Sequence, residues 1–389
     1  MNRARSVIAA VAGTASVAFC LLNSAPQADA RPAAESASVR ACPNMAGPQP
    51  RSPGSENNEL TGVAVLSPCD AWAVGDFSSG SGAKTLIEQW NGRRWRLVGS
   101  PDPAANNYLT AVSAVSAASV WAVGFDNVPG GTPRALILRR NGTTWKQLAS
   151  PNQGKTAVLY GVHATSPDDI WATGFVSVAG HERTLTIHWN GRRWTRITSP
   201  NIGSDDELRA VTATSATNAW AVGEYFTGSE AGRTLILHWN GRRWRRVPSP
   251  SPLGTNRLDA ISAVSASSAW AVGGSVNGSF AVTLTLHWNG HRWARVPSPG
   301  PAHANAILAG VIALSAGNAW AAGSATASNH QPLLLHWNGR QWRQVSVPAA
   351  SGHDDILFAL AAAKPGTGWA VGTFAHGTAV SRALAVHCC

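Results

Sequence analysis

Three shortages narrow what this 389-residue chain can be. Beyond residue 30 no apolar run approaches the roughly 20 residues that span a bilayer, which excludes a membrane-spanning helix there. Apolar residues do not recur with the 3.6-residue period of an amphipathic helix, and glycine (38) and proline (23) are frequent, which excludes a helical solenoid. Lysine is nearly absent, four residues among the 31 Lys+Arg, so the formal charge of +11 rests on arginines that recur at fixed spacings. A basic balance of this kind is compatible with anionic wall polymers or an acidic partner and by itself names none of them; no nucleic-acid partner is expected.

The N-terminus reads as a secretory leader. Arg3 and Arg5 precede an apolar run from Val7 to Leu22, and Ala28-Asp29-Ala30 forms a small-x-small cleavage site before Arg31. Phe19 stands before Cys20 where a lipoprotein signal has a small residue, which argues against a lipid anchor. The expectation is a signal peptide over 1–30 and a secreted, extracellular, monomeric chain whose formal charge falls from +11 to +10 when Arg3, Arg5 and Asp29 leave.

What the chain has in plenty is a repeat. Trp72, Trp121, Trp171, Trp220, Trp270, Trp320 and Trp369 stand in A-W-A-V-G-like contexts every 49 or 50 residues. A W-N-G-x-x-W motif follows at Trp90/Trp95, Trp189/Trp194, Trp239/Trp244, Trp288/Trp293 and Trp337/Trp342; repeat two keeps Asn141-Gly142 and Trp145, with Arg140 in the first tryptophan's place. All 18 tryptophans fall in this scheme, inside strands, where packing between repeats is the expected role.

Each repeat reads as four strands. In repeat four, Leu208 to Ser215 alternates, Ala219 to Gly223 follows a short polar loop, Arg233 to Trp239 alternates again, and Trp244 to Val247 ends at Ser249-Pro250. Asn240-Gly241 is read as a tight hairpin turn with positive φ at both residues. Seven such units predict an all-β, seven-bladed β-propeller of four-stranded antiparallel blades over 58–389.

The seventh repeat stops at Cys388-Cys389, where W-N-G and an outer strand should follow, so the segment 31–57 is expected to supply the closing strand. Four cysteines remain after leader cleavage, and an even number in an exported chain suggests disulfides. The preferred arrangement pairs Cys42 and Cys69 each with one of Cys388 and Cys389. Such a closure, over a loop of roughly 340 residues, is worth on the order of 5 kcal/mol in a chain-entropy description.

The two faces of the ring should differ. Short turns and the Asn-Gly hairpins share one face; longer, variable segments such as Gly223 to Gly232 and Pro250 to Arg257 lie on the other, where function is expected. The inner strands begin Leu60-Thr61, Leu109-Thr110, Leu159-Tyr160, Leu208-Arg209, Leu258-Asp259, Leu308-Ala309 and Leu357-Phe358. Blades three to five depart from the repeat and are expected to bring Tyr160, His163, Arg209 and Asp259 into one sector, with Arg257 and Asp205-Asp206-Glu207 on adjoining loops. That set would bind a polar ligand or supply acid–base groups. The simpler reading is an Arg209–Asp259 ion pair beside a hydrogen-bonded His163. No residue is assigned as catalytic.

His188, His238, His287 and His336 recur one per blade, too far apart for one metal, and no metal or other cofactor is expected. Arginines at the hairpin turns, Arg192-Arg193 and Arg242-Arg243 among them, should collar the turn face or outer rim as solvated surface or as a contact for anionic polymers.

The run Leu237-His238-Trp239-Asn240-Gly241-Arg242-Arg243-Trp244, continued by Val247-Pro248-Ser249-Pro250 and preceded by Ala219-Trp220-Ala221-Val222-Gly223, resembles the repeat of secreted actinobacterial W-N-G propeller proteins. It is distantly similar to kelch repeats and to the galactose oxidase propeller. The resemblance spans about 58 to 387 and implies the fold, while propellers host binding and enzymatic functions alike. A galactose oxidase-like copper site needs a cysteine-linked tyrosine with further Tyr and His ligands, but the chain has only Tyr108, Tyr160 and Tyr225, with its cysteines placed at the closure. Sialidase-like S-x-D-x-G-x-x-W boxes are missing from every repeat. Two functions therefore stand from the sequence: a non-catalytic protein recognising an extracellular glycan, wall polymer or protein on the long-loop face, or a small-molecule lyase or hydrolase at the channel mouth of blades three to five.

Overall fold

In the computed structural model the described residues are 49–389, apart from 81, 152–155, 229–230, 253, 302–303, 327, 348–349, 351–353 and 376–379. The expected leader and Cys42 lie outside them. The alternating segments form seven separate antiparallel sheets, each with its strands in sequence order from the inside outward. Six have four strands; the seventh has three among the described residues. Blade four shows the plan, with strands Asp205–Ser215, Asn218–Phe226, Gly232–Trp239 and Trp244–Arg246. The first three extend further toward the long-loop end than sequence alternation alone indicates.

The tryptophans build the walls between blades. Trp220, on the second strand of blade four, is 1% exposed and packs against Trp288 and Trp293 of blade five at 5.0 and 5.4 Å. His238 covers Trp220 at 4.1 Å. The same geometry joins the chain's ends, where Trp369 of blade seven meets Trp90 and Trp95 of blade one at 4.9 and 5.1 Å. Indole pairs of this kind contribute about 0.5–1.5 kcal/mol beyond area burial.

The free edge of blade seven, along Ser381–Cys388, is covered by the segment that leads into blade one. Gln49 uses both ends of its side-chain amide there, Nε2 donating to the Ala385 carbonyl at 3.3 Å and Oε1 accepting from the Ala385 N–H at 3.0 Å. Ser52 Oγ accepts from the Ala383 N–H at 3.0 Å, and the Ser381 N–H donates to the Glu56 carbonyl at 3.1 Å. These groups satisfy donors that a fourth strand satisfies in the other blades.

Two expectations change. The W-N-G hairpin is a four-residue loop, with Trp239 paired to Trp244 and positive φ only at Gly241. Asn240 stays at negative φ because its Oδ1 accepts from the backbone N–H groups of Arg242 and Arg243, each at 3.1 Å, an Asx turn in place of a two-residue one. The cysteines differ as well. Cys69 is a free, exposed thiol on a turn of blade one, whereas Cys388 and Cys389 are buried, with Sγ atoms 2.8 Å apart, in a cluster shared with Ile312, Ala322 and Leu334 of blade six. Facing blade six, that pair does not meet the solvent-facing Cys69.

Candidate functional site

Near its long-loop end every inner strand breaks its ladder at one residue. Register shifts fall between Leu60 and Gly62, Leu109 and Ala111, Leu159 and Gly161, Leu208 and Ala210, Leu258 and Ala260, Leu308 and Gly310, and Leu357 and Ala359. The skipped residues are Thr61, Thr110, Tyr160, Arg209, Asp259, Ala309 and Phe358, a position that changes residue type in nearly every repeat. A bulge bends the strand and re-aims the extra side chain. The glycine of A-V-G is what admits it: a methyl on Gly223 would overlap the Glu207 carbonyl oxygen, and the other six blades repeat the contact.

In the plain blades the bulge side chain binds backbone. Thr61 Oγ1 donates to the Leu109 carbonyl at 2.6 Å, and Thr110 Oγ1 to the Leu159 carbonyl at 2.7 Å, each reaching the next inner strand. Ala309 and Phe358 are buried and apolar. Blades three to five place charge and an aromatic hydroxyl at the same point.

Arg209 sits at the centre. Its guanidinium lies 5.0 Å from the Tyr160 ring centroid, and its Nη2 donates to Glu207 Oε2 at 2.9 Å and Glu224 Oε1 at 3.2 Å. Burial alone would lower the Arg209 pKa; Glu207 and Glu224 outweigh it and hold the pKa above the ordinary value. One guanidinium shared by two carboxylates does not offset the desolvation of both, so burial keeps Glu224 above the usual carboxylate range. Burial also pushes the Tyr160 hydroxyl up to about 12, against the pull of Arg209. In blade five Arg257 Nε pairs with Asp259 Oδ1 at 2.7 Å.

Arg209 and Asp259 therefore take partners within their own blades, where the strand neighbours stand closer than the next bulge. Tyr160, Arg209, Arg257 and Asp259 share one sector, as expected from the sequence. Their exposure differs: the Arg209 and Glu207 side chains keep 13% and 12% of their surface open, Arg257 and Asp259 only 6% and 4%. The first pair is the more accessible of the two.

His163 does not join them. It pairs in register with Trp171, toward the opposite end of the blade, and is 4% exposed. Burial lowers its pKa to about 4, with a hydrogen bond to the Ala213 backbone opposing the shift. The equivalent Ser113 and Ser262 accept from Ala164 N–H and Ala313 N–H of the next blades, so this is an inter-blade packing position.

Sequence reasoning missed the second-strand carboxylates. Glu224 follows the A-V-G glycine, as does Asp76 in blade one, which pairs across the strands with Glu59. Burial, and then Glu59, raises Asp76 to about 8. Tyr108, stacked on Phe125 at 4.8 Å, adjoins this acidic pair. A charged residue directly after A-V-G was the available signal.

No protein-family model and no curated protein matches the chain. Solved structures do. YCF48 bound to D1 peptide is 13% identical with a TM-score of 0.52, covering 88% of this chain and 94% of that one. YCF48 from Cyanidioschyzon merolae is 16% identical with the same score, covering 87% and 97%. An ulvan lyase of polysaccharide lyase family PL25, bound to -[GlcA(1-4)Rha3S]-, is 9% identical with a TM-score of 0.51, covering 79% and 88%. What they share with this chain is the fold. Among the described residues no helix is long and apolar enough to cross a membrane, and no group of three or more His, Cys, Asp or Glu could hold a metal ion.

Proposed function

We propose that the chain is a secreted, monomeric, non-catalytic binding propeller of the W-N-G repeat, kelch-like type, which recognises an extracellular glycan, wall polymer or protein at the long-loop mouth of blades three to five. The observation that carries this reading is Arg209 held between Glu207 and Glu224 over Tyr160. It presents a fixed guanidinium, two carboxylates and an aromatic face on rigid strands, while the bulge positions of blades one, two, six and seven offer Thr, Ala and Phe. Pre-paired groups of this kind suit hydrogen bonding to hydroxyls or backbone amides, since little ordering remains to be done on binding. One structural neighbour is bound to a peptide and another to an acidic glycan, which supports a binding reading of either ligand class. His163 is sealed away from the mouth and neutral, which counts against the lyase or hydrolase alternative.

The test is a glycan and peptide array, paired with a screen for turnover of the retained ligands. Wild-type protein should retain a ligand without consuming it, and Arg209→Met should lose at least about tenfold in affinity, as expected when a charged hydrogen-bonding group is removed. Turnover abolished by Tyr160→Phe, or unchanged binding in both Arg209→Met and Asp259→Asn, would sink the proposal.

A further inference from the structure

We infer that the turn end of the ring, opposite the mouth, is a docking surface for an acidic polysaccharide. This surface is independent of the mouth and would exist whatever the mouth binds.

The first-to-second and third-to-fourth strand turns lie together at this end: a Cβ on Gly92 would meet Cys69, one on Gly191 Asp168, and one on Gly241 Thr217. Charge separates sharply between the two ends. Among the described residues only Asp70, Asp168 and Asp169 bring carboxylate side chains to the turn end, and Asp169 is already bound to His188 and Thr165. Apart from the buried Glu88, every other described carboxylate side chain lies toward the long loops. The arginines that form ion pairs, Arg134, Arg183, Arg209 and Arg257, are at that end too.

Of the cations without an ion pair among the described residues, Lys84, Arg233 and Arg382 stand near the long loops, and most of the others belong to the turn end and the outer strands. Arg192, Arg193, Arg242, Arg243 and Arg292 are exposed, form no ion pair among the described residues, and follow asparagines whose Oδ1 atoms cap the loop backbone. Blades one and six repeat the arrangement, and each outer strand adds at least one exposed Arg or Lys. A single exposed ion pair contributes little, but cations fixed at one set per blade act on a polymer as linked sites. Guanidinium groups fork onto carboxylate and sulfate oxygens in pairs.

Geometry selects the polymer. A duplex nucleic acid is straight over about 150 base pairs and touches a ring only along a tangent. Single strands bind largely by stacking on exposed aromatics. Here the half-buried indoles at the turns are held rather than splayed: Trp239, Trp288 and Trp337 pack on Trp171, Trp220 and Trp270 and donate Nε1 to the Ala216, Ala266 and Ala316 carbonyls, at 3.0, 3.0 and 3.3 Å. A flexible polysaccharide bearing carboxylates or sulfates can follow the curve and meet successive blades.

The test measures binding of the full chain to polygalacturonate and to heparin, with poly(A) RNA as comparator, over a salt series. Binding should weaken steeply with salt. Arg192→Ser/Arg193→Ser/Arg242→Ser/Arg243→Ser/Arg292→Ser should lose about tenfold or more at low salt and flatten the salt slope. Arg134→Ser, at the long-loop end, should bind both polysaccharides as wild type does. Should the quintuple variant fail to fold, Arg242→Ser/Arg243→Ser is expected to lose a smaller share in the same direction. Retained affinity in a folded variant, absence of binding to both polysaccharides, or tighter binding of poly(A) would each overturn the inference.

Discussion

Trp369 of the last blade packs on Trp90 of the first at a centroid separation of 4.9 Å, repeating the contact that blades two to five make with their successors. The ring is thus sealed by side chains that are distant in sequence. Trp369→Ala should destabilise the fold by about 3–5 kcal/mol in urea unfolding. Trp320→Ala should cost less, because Cys388 and Cys389, in place of a tryptophan pair, border it in blade seven and leave it partly exposed. Equal losses for the two variants would contradict this picture of the closure.

Gly223→Ala drives a methyl into the Glu207 carbonyl at the bulge that aims Arg209. A loss of about 2–4 kcal/mol is expected, as for overpacking within a rigid core. Ligand binding at the mouth should fall with it, whereas Gly99→Ala, with nothing within 4 Å of the added carbon, should leave binding intact. Binding unaffected by Gly223→Ala would separate the bulge from the site.

Acid stability isolates His163. Its folded pKa of about 4 lies below the ordinary 6.5, so the unfolded chain takes up the proton first as pH falls. Stability is complete above pH 6.5 and is lost through the window down to about 4, on the order of 3 kcal/mol. His163→Thr, which installs the residue of blade four, should flatten this part of the pH profile in chemical denaturation and leave mouth binding unchanged. An unaltered profile would show that His163 is not held neutral by burial.

The closing disulfide is testable directly. We propose that Cys42 joins Cys388 or Cys389, with Cys69 left as a thiol as its exposed position in blade one indicates. Non-reducing peptide mapping should recover a peptide linking residue 42 to the C-terminus, and one labelled thiol at Cys69. Linkage of Cys69 to either C-terminal cysteine would reverse the assignment.

The fold was legible because one strict repeat encodes it: Trp220, Asn240-Gly241 and Trp244 recur with their neighbours, and each recurrence does the same physical work. The site was half legible. Departures from the repeat pointed to Tyr160, Arg209 and Asp259, but alternation in sequence says nothing of a bulge, so the reason those three side chains leave the ladder was hidden. His163 departs from the repeat just as strongly, yet three ladder positions beyond the bulge it turns into an inter-blade wall. Partners were hidden for a related reason. Glu224 is 15 residues from Arg209 and meets it only through strand register.

Hydrogen exchange with and without the best-retained array ligand tests the assignment of the mouth most directly. Protection should rise at the starts of three inner strands, over 157–160, 205–209 and 257–259, and at Glu224, with the W-N-G turns unchanged. Protection confined to those turns or to the outer strands, with the mouth unaltered, would contradict the proposed site.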